Sequence, residues 1–171
     1  MVTMNRQPVP LYYASSSQVN AQVPYDLTGQ VEVVVHFDSQ ATAAQLLRLQ
    51  PTSPGLYPGV FHPDGTPVSA DRPAQPSSVV VLFATGQGGT IPPSVAGQAA
   101  SAPYPEPAAA VSLLVGDKPA EILFRGQAPG TVGVMQVNAR LAADTPIGEQ
   151  VPVLLMVGAS ISQPGVSIPI R

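Results

Sequence analysis

The chain has 171 residues, 44% hydrophobic and only 10% charged, with a net charge of −3 and no cysteine. This composition can fill a packed core, and it excludes disulfides, thiolate metal sites and a cysteine nucleophile. Seven Lys and Arg residues cannot neutralise many phosphates or coat an anionic membrane surface, which argues against nucleic acid and lipid headgroups as partners.

Twenty-one prolines and fifteen glycines oppose helices and suit short strands joined by turns. No apolar stretch approaches the roughly 18 residues of a membrane span, and MVTMNRQPVPLYY at the N-terminus has no apolar signal core. In chain order, the first clear strand is Gln30 to Phe37, with Val31, Val33, Val35 and Phe37 on one face and Glu32 and His36 on the other. Ala41 to Leu49 admits a helical stripe, but Leu47 and Leu49 alternate with Arg48 and Gln50, which favours a strand. Phe61 to Thr66 reads as a hairpin turn, because Asp64-Gly65 supplies positive φ. Ser78 to Thr85 is a continuous apolar run, expected as a strand buried on both faces. Gly86 to Ala110 is rich in Pro, Gly and Ala and is expected to be a long surface connection. Strands are then expected at Val111–Val115, Ala120–Arg125, Val134–Leu141, Gln150–Val157 and Val166–Ile170.

The chain repeats itself. Leu11-Tyr12 and Gln18-Val19-Asn20-Ala21 recur as Leu123-Phe124 and Gln136-Val137-Asn138-Ala139, at offsets of 112 (123 − 11) and 118 (136 − 18). Gly29-Gln30-Val31 recurs around Gly148-Glu149-Gln150-Val151, and Leu47-Arg48-Leu49 matches Ile168-Pro169-Ile170. The later copy also owns the strand at Ser78 to Thr85, the long connection and Val111–Val115. With no strand expected upstream of Leu11, the earlier copy is read as N-terminally incomplete. Asn20 and Asn138, kept in both copies, are expected either to bond a nearby backbone turn or to share a polar strand face with Gln18 and Gln136.

The segments Pro10–Gln30, Ser53–Ser69, Ser77–Gly88 and Val115–Leu141, with the run G-x-x-P-A…F-x-G-x-A-P-G-x-V-G-x-x-Q-V-N starting at Gly116, resemble an uncharacterised C-terminal domain family of Solibacter and other acidobacterial proteins. Two departures stand out. The family's opening Asn-Ala-Ala-Ser segment and first strand are absent, and Ala142-Ala143 replaces the usual Val-Pro. The resemblance implies tandem immunoglobulin-like, IPT/TIG-like modules in secreted or cell-surface proteins, and it implies no activity and no functional residues.

The residue inventory suggests no enzyme. His36 is expected to point outward from its strand and His62 to sit in a turn, neither with a second ligand at metal-binding spacing. Gly86-Gln87-Gly88-Gly89 precedes Pro92-Pro93 rather than a helix, so it is not a phosphate loop. Asp64, Asp71, Asp117 and Asp144 read as turn formers, although turn oxygens gathered in space could hold calcium. Tyr12, aligned with Phe124, is expected in the core; Tyr13 and Tyr104 are the candidate contact surface.

The expectation is therefore an all-β protein of immunoglobulin-like sandwiches in two related tandem modules. Residues 1–50 form a partial module lacking its first strands, 51–76 a connection with a β-hairpin, and 77–171 a complete module. No catalytic, cofactor or metal site is expected. The function expected is adhesion, spacing or protein contact outside the cell, with a carbohydrate-binding module using loop tyrosines as the alternative. The incomplete module is expected to pack extensively on its neighbour and leaves room for a homodimer across its strand edge.

Overall fold

The computed structural model describes residues 1–171 and contains strands and turns without a helix. The all-β expectation holds. Residues 1–50, the small half, carry β1 (Val2–Met4), β2 (Gln7–Pro8), β3 (Leu11–Ala14), β4 (Val19–Ala21), β5 (Gly29–Phe37), β6 (Gln40–Ala41) and β7 (Gln45–Leu49). Residues 51–171, the large half, carry β8 (Gly55–Phe61), β9 (Val79–Thr85), β10 (Thr90–Ile91), β11 (Glu106–Pro107), β12 (Val111–Val115), β13 (Lys118–Gln127), β14 (Met135–Arg140), β15 (Gly148–Val157), β16 (Ser160–Ile161) and β17 (Ser167–Ile170).

Period-two patterning builds the large half. Val80, Leu82 and Ala84 of β9, Val111, Leu113 and Val115 of β12, Met135, Val137 and Ala139 of β14, and Val151, Val153, Leu155 and Val157 of β15 all point into one core of 20 buried residues. One layer runs β8-β9-β14-β13 and the other β12-β15-β17, every pair antiparallel. A two-residue turn at Gly116-Asp117, with φ of +59° and +62°, carries β12 straight into β13 and pairs them, so the layers join into one curled sheet. At the opposite side the layers almost close, through Ala74 N–H to Pro169 O at 3.0 Å and Arg171 N–H to Ala74 O at 3.0 Å.

Several expectations change here. The stretch 51–76 is not only a connection: β8 is an edge strand whose Leu56 and Val60 enter the main core. Its Pro58 and Gly59, tolerated at an edge and at the irregular register between Leu56 and Val60, hide it from propensity. β9 is buried on one face; its other face is partly covered, with Phe83 meeting Phe61 edge-on at 6.0 Å. The long connection contains the short β10–β11 pair and is seated where Gly86 O accepts from Ser53 N–H at 2.8 Å. There Gly86 has φ +73°, and a Cβ would stand 1.7 Å from Ser53 O, so only glycine fits.

The small half has a strand where none was expected. β1 pairs with β5 (Val2↔Val35, Met4↔Val33), and Val2, Met4 and Val9 form a small buried cluster against which Val33 and Val35 pack. β5 pairs with β7 on its other edge and continues into β6. β3 and β4 form a separate hairpin. Val31 is fully buried, but Phe37, expected on the same inward face, is exposed.

The two halves share details of pairing. Met4↔Gln7 brackets a turn with both φ positive (Asn5, Arg6), as Val115↔Lys118 does. The register slips between Leu11 and Tyr13 opposite Ala21 and Asn20, as it slips between Ile122 and Phe124 opposite Ala139 and Asn138. The offset that superposes these pairs is 111 (124 − 13), one less than the sequence match suggested, so Tyr13 rather than Tyr12 stands where Phe124 stands. Gln18 Nε2 donates to Asn20 Oδ1 at 2.6 Å and Gln136 Nε2 to Asn138 Oδ1 at 2.9 Å. The asparagines thus belong to a polar strand face and do not brace a turn.

The Phe61–Thr66 hairpin closes as expected, with His62 N–H to Thr66 O at 2.8 Å. Asp64 is its clamp: Oδ1 accepts from Thr66 Oγ1 and N–H, and Oδ2 pairs with Arg72 at 2.8 Å.

Two outcomes are expected. Ile168→Ala should cost about 2–5 kcal/mol in denaturant unfolding, the range for a buried large-to-small change, whereas Leu47→Ala, at the matching but exposed position, should cost less than about 0.5 kcal/mol. The Asp64 carboxyl, held far below the ordinary aspartate range by Thr66 first and then Arg72, should stay ionised in a carbon-detected titration down to the acid limit of folding. Its contribution is present above the unfolded carboxylate range near ~3.9 and lost only as pH falls further; Asp64→Asn should flatten stability in that window.

Candidate functional site

No sheet contains strands of both halves; they meet through loops. The Tyr12 hydroxyl donates to Val132 O at 3.1 Å, Gly97 N–H donates to Gln22 Oε1 at 2.6 Å, and Gln127 Nε2 donates to the Tyr25 hydroxyl at 2.5 Å. Tyr12 is therefore not a core residue as expected; its ring is half exposed and its hydroxyl ties the halves. The expected packing of Val33 and Val35 on the large half is also replaced, because their cover comes from β1 and Val9 of their own half.

Behind this seam Gln22, Gln87 and Gln127 are all buried. A buried amide without a partner costs about 1–3 kcal/mol, so such a cluster stands or falls on its hydrogen bonds. Gln22 and Gln127 have theirs, while neither side-chain polar atom of Gln87 has a protein partner. Burial raises the pKa of Tyr25, and the hydrogen bond from Gln127 to its hydroxyl counters part of that rise.

Tyr25 and Asp26 of the small half line an open cleft of about 540 Å³, completed by Gly89, Thr90 and Pro93 to Ala96 of the long connection. Thr90 Oγ1 fixes the far wall, donating to Pro92 O at 3.0 Å and accepting from Ser94 N–H at 2.9 Å. The lining is mixed, with hydroxyls and one carboxylate beside Pro93, Val95 and Ala96. A second recess of about 330 Å³ lies between the Asp64 hairpin and the outer face of the large half, against Phe61, His62, Phe83, Gln136 and Asn138. No three His, Asp or Glu side chains cluster at metal-binding distance. His36 Nε2 lies 3.2 Å from Thr3 Oγ1 and His62 Nε2 3.2 Å from Arg72 O.

Tyr13 and Tyr104 are not brought together in either recess. Tyr13 is exposed on β3; Tyr104 is half-buried in the long connection before β11. The glutamines at the inter-half seam carry no local signal, since Gln22 sits between Ala21 and Val23, Gln87 between two glycines and Gln127 between Gly126 and Ala128.

The third feature is an uncovered apolar side on the small half. Positions that register identically in the two halves differ in exposure: Val19 is 38% exposed and Val137 0%, Leu47 48% and Ile168 2%, Phe37 76% and Val157 0%. Val23, matched to buried Leu141, is exposed as well. In the large half these positions share one core with Leu56 and Val60 of β8 and Val80, Leu82 and Ala84 of β9, and no strand of the small half pairs with β4 as β9 pairs with β14. The outer edge of β4 is unpaired.

Comparison with protein families, curated proteins and solved structures finds no match. The site is therefore read from its own chemistry.

Tyr25→Phe should lower stability by about 1–3 kcal/mol by stranding Gln127, measured by denaturant unfolding. With its pKa raised, Tyr25 contributes stability that is fully present below the ordinary tyrosine pKa near ~10 and lost as pH rises through the folded value. Ultraviolet titration should show Tyr25 and Tyr12, both raised first by burial, ionising late, and one late-ionising tyrosine fewer in the variant.

Proposed function

We propose that the chain is a non-catalytic contact module of the extracellular or cell-surface type, in which a complete immunoglobulin-like sandwich carries a second, partial copy of itself. The sheet order supports the sandwich: β8-β9-β14-β13 opposite β12-β15-β17 matches the A-B-E-D and C-F-G sheets of a constant-type domain. The shared turn, register slip and Gln–Asn bond support the partial copy, with β1, β3, β4, β5 and β7 in the places of β12, β13, β14, β15 and β17. The resemblance to the acidobacterial C-terminal family supports an address outside the cell.

The observation that carries the contact role is the uncovered side of the small half. Exposed apolar groups in register with buried ones cost solvation, roughly 1.5–3 kcal/mol for each large side chain, and a partner surface recovers it. A protein fits better than a glycan here, because Val19, Val23, Leu47 and Phe37 supply apolar contact and few polar groups. Carbohydrate binding through Tyr13 and Tyr104 is the second reading, supported by the exposed ring of Tyr13.

A photo-reactive phenylalanine at position 47, in the full chain, should yield discrete protein adducts from cell-envelope extract, and one at the exposed Glu149 should not. A glycan array should stay blank. Saturable glycan binding lost in Tyr13→Ala and Tyr104→Ala, with no adduct at position 47, overturns the contact reading in favour of the second.

A further inference from the structure

The small half resolves into the equivalents of five strands of the large half, and what it lacks is specific: β9, which pairs with the outer edge of β14, and β8 beyond it, both of which feed the common core. From this we infer that the open edge of β4 accepts an extended, uncharged, apolar segment of another polypeptide, bound antiparallel to β4 in the register that β9 adopts on β14. The inference rests on the contact reading above and names the chemistry and geometry of the partner.

Backbone geometry comes first. In the β3–β4 hairpin Gln18 O accepts from Ser15 N–H at 2.8 Å and Gln22 N–H donates to Pro10 O at 2.9 Å. Even-numbered positions of this segment therefore face β3, and alternation turns the amides and carbonyls of Val19 and Ala21 outward. In the large half the same outward direction, at Val137 and Ala139, is where β9 pairs, and Leu141 N–H donates to Ser78 O at 2.9 Å. A free row of donors and acceptors beside an apolar trough is a template for strand addition.

Charge selects the occupant. Exposed sheet edges are usually guarded by charged side chains, yet from Leu11 to Tyr25 there is no Lys, Arg, Asp or Glu. The strand that fills the corresponding place, Val79–Thr85, is equally uncharged. Its Val80, Leu82 and Ala84 point into the core beside Val137 and Ala139, and Val81 stands opposite Asn138. An incoming strand in the same register would set an apolar side chain beside Val19, Leu47 and Val23, and its neighbour opposite Asn20.

The test uses the full chain and a peptide copying Ser78–Ala84, flanked by lysines for solubility. Saturable binding should protect the amides of Val19 and Ala21 from hydrogen exchange and leave that of Asn20, already turned towards β3, unchanged. Leu82→Glu in the peptide, an inward position, should weaken binding at least about tenfold, as expected for burying an unpaired charge; Val81→Thr, an outward one, should change it little. A second version joins residues 51–86 through a flexible linker ahead of Met1, and it should protect the same two amides and raise the melting temperature. Absence of both binding and protection overturns the inference, as does equal affinity for the Leu82→Glu peptide. A dimer in sedimentation that buries β4 and excludes the peptide overturns it in favour of a second copy. If protein adducts at position 47 persist while β4 amides stay unprotected, the strand mode falls and the contact reading survives.

Discussion

Everything in the large half leans on β15. It pairs with β12 along one edge and with β16 and β17 along the other, and four alternate side chains, Val151, Val153, Leu155 and Val157, enter the core from it. A strand paired on both edges satisfies its backbone donors and acceptors without water, so its inward face can be wholly apolar. The opposite layer then has to cover that face, and β9 and β14 do so with Val80, Leu82, Met135 and Val137. The tight turn at Gly116-Asp117 sets the spacing, because it pairs the last residues of one layer directly with the first of the next. Gly116 is held there by Pro146 and Val151, which leave no room for a Cβ.

β5 attempts the same plan with less to work with. It has β1 on one edge and β7 on the other, but β1 has three residues against five in β12. The facing layer is only the β3–β4 hairpin. Cover therefore reaches Val31, Val33 and Val35 and stops before Phe37 and Leu47. The physical difference between the halves is one of cover, since the strands that are present follow the same pairing rules down to the slip at Tyr12 and Leu123.

Much of this plan is legible in the residues. The QVNA segments and the Gly-led valine strands each occur twice, and alternation locates nearly every long strand. What stays hidden has particular causes. Three residues of β1 are too few to show a period, and its turn uses Asn5-Arg6, where positive φ at arginine is uncommon. The likeness of Leu11-Tyr12 to Leu123-Phe124 is off by one position, because pairing sets Leu11 with Ile122 and Tyr13 with Phe124 on either side of a slip that both halves share. β8 was obscured by Pro58 and Gly59. The seam between the halves depends on glutamine amides that meet only in three dimensions, so nothing in their local sequence distinguishes Gln22, Gln87 and Gln127 from surface glutamines.

The seam also explains how an under-covered half remains folded. Tyr12, Gln22 and Tyr25 each form a hydrogen bond to the large half, at Val132, Gly97 and Gln127. They anchor the β3–β4 hairpin and the turn after it, which are the elements with the least core of their own. Regions with few buried apolar contacts open at the lowest free energy, and in this chain that description fits β4 and β7 rather than β15. Any partner that binds only the folded form adds stability that grows with the logarithm of its free concentration relative to its Kd. A partner seated along β4 therefore acts where the intrinsic stability is smallest, so its binding and the ordering of the small half become one equilibrium, while the large half, with its core complete, serves as the fixed support.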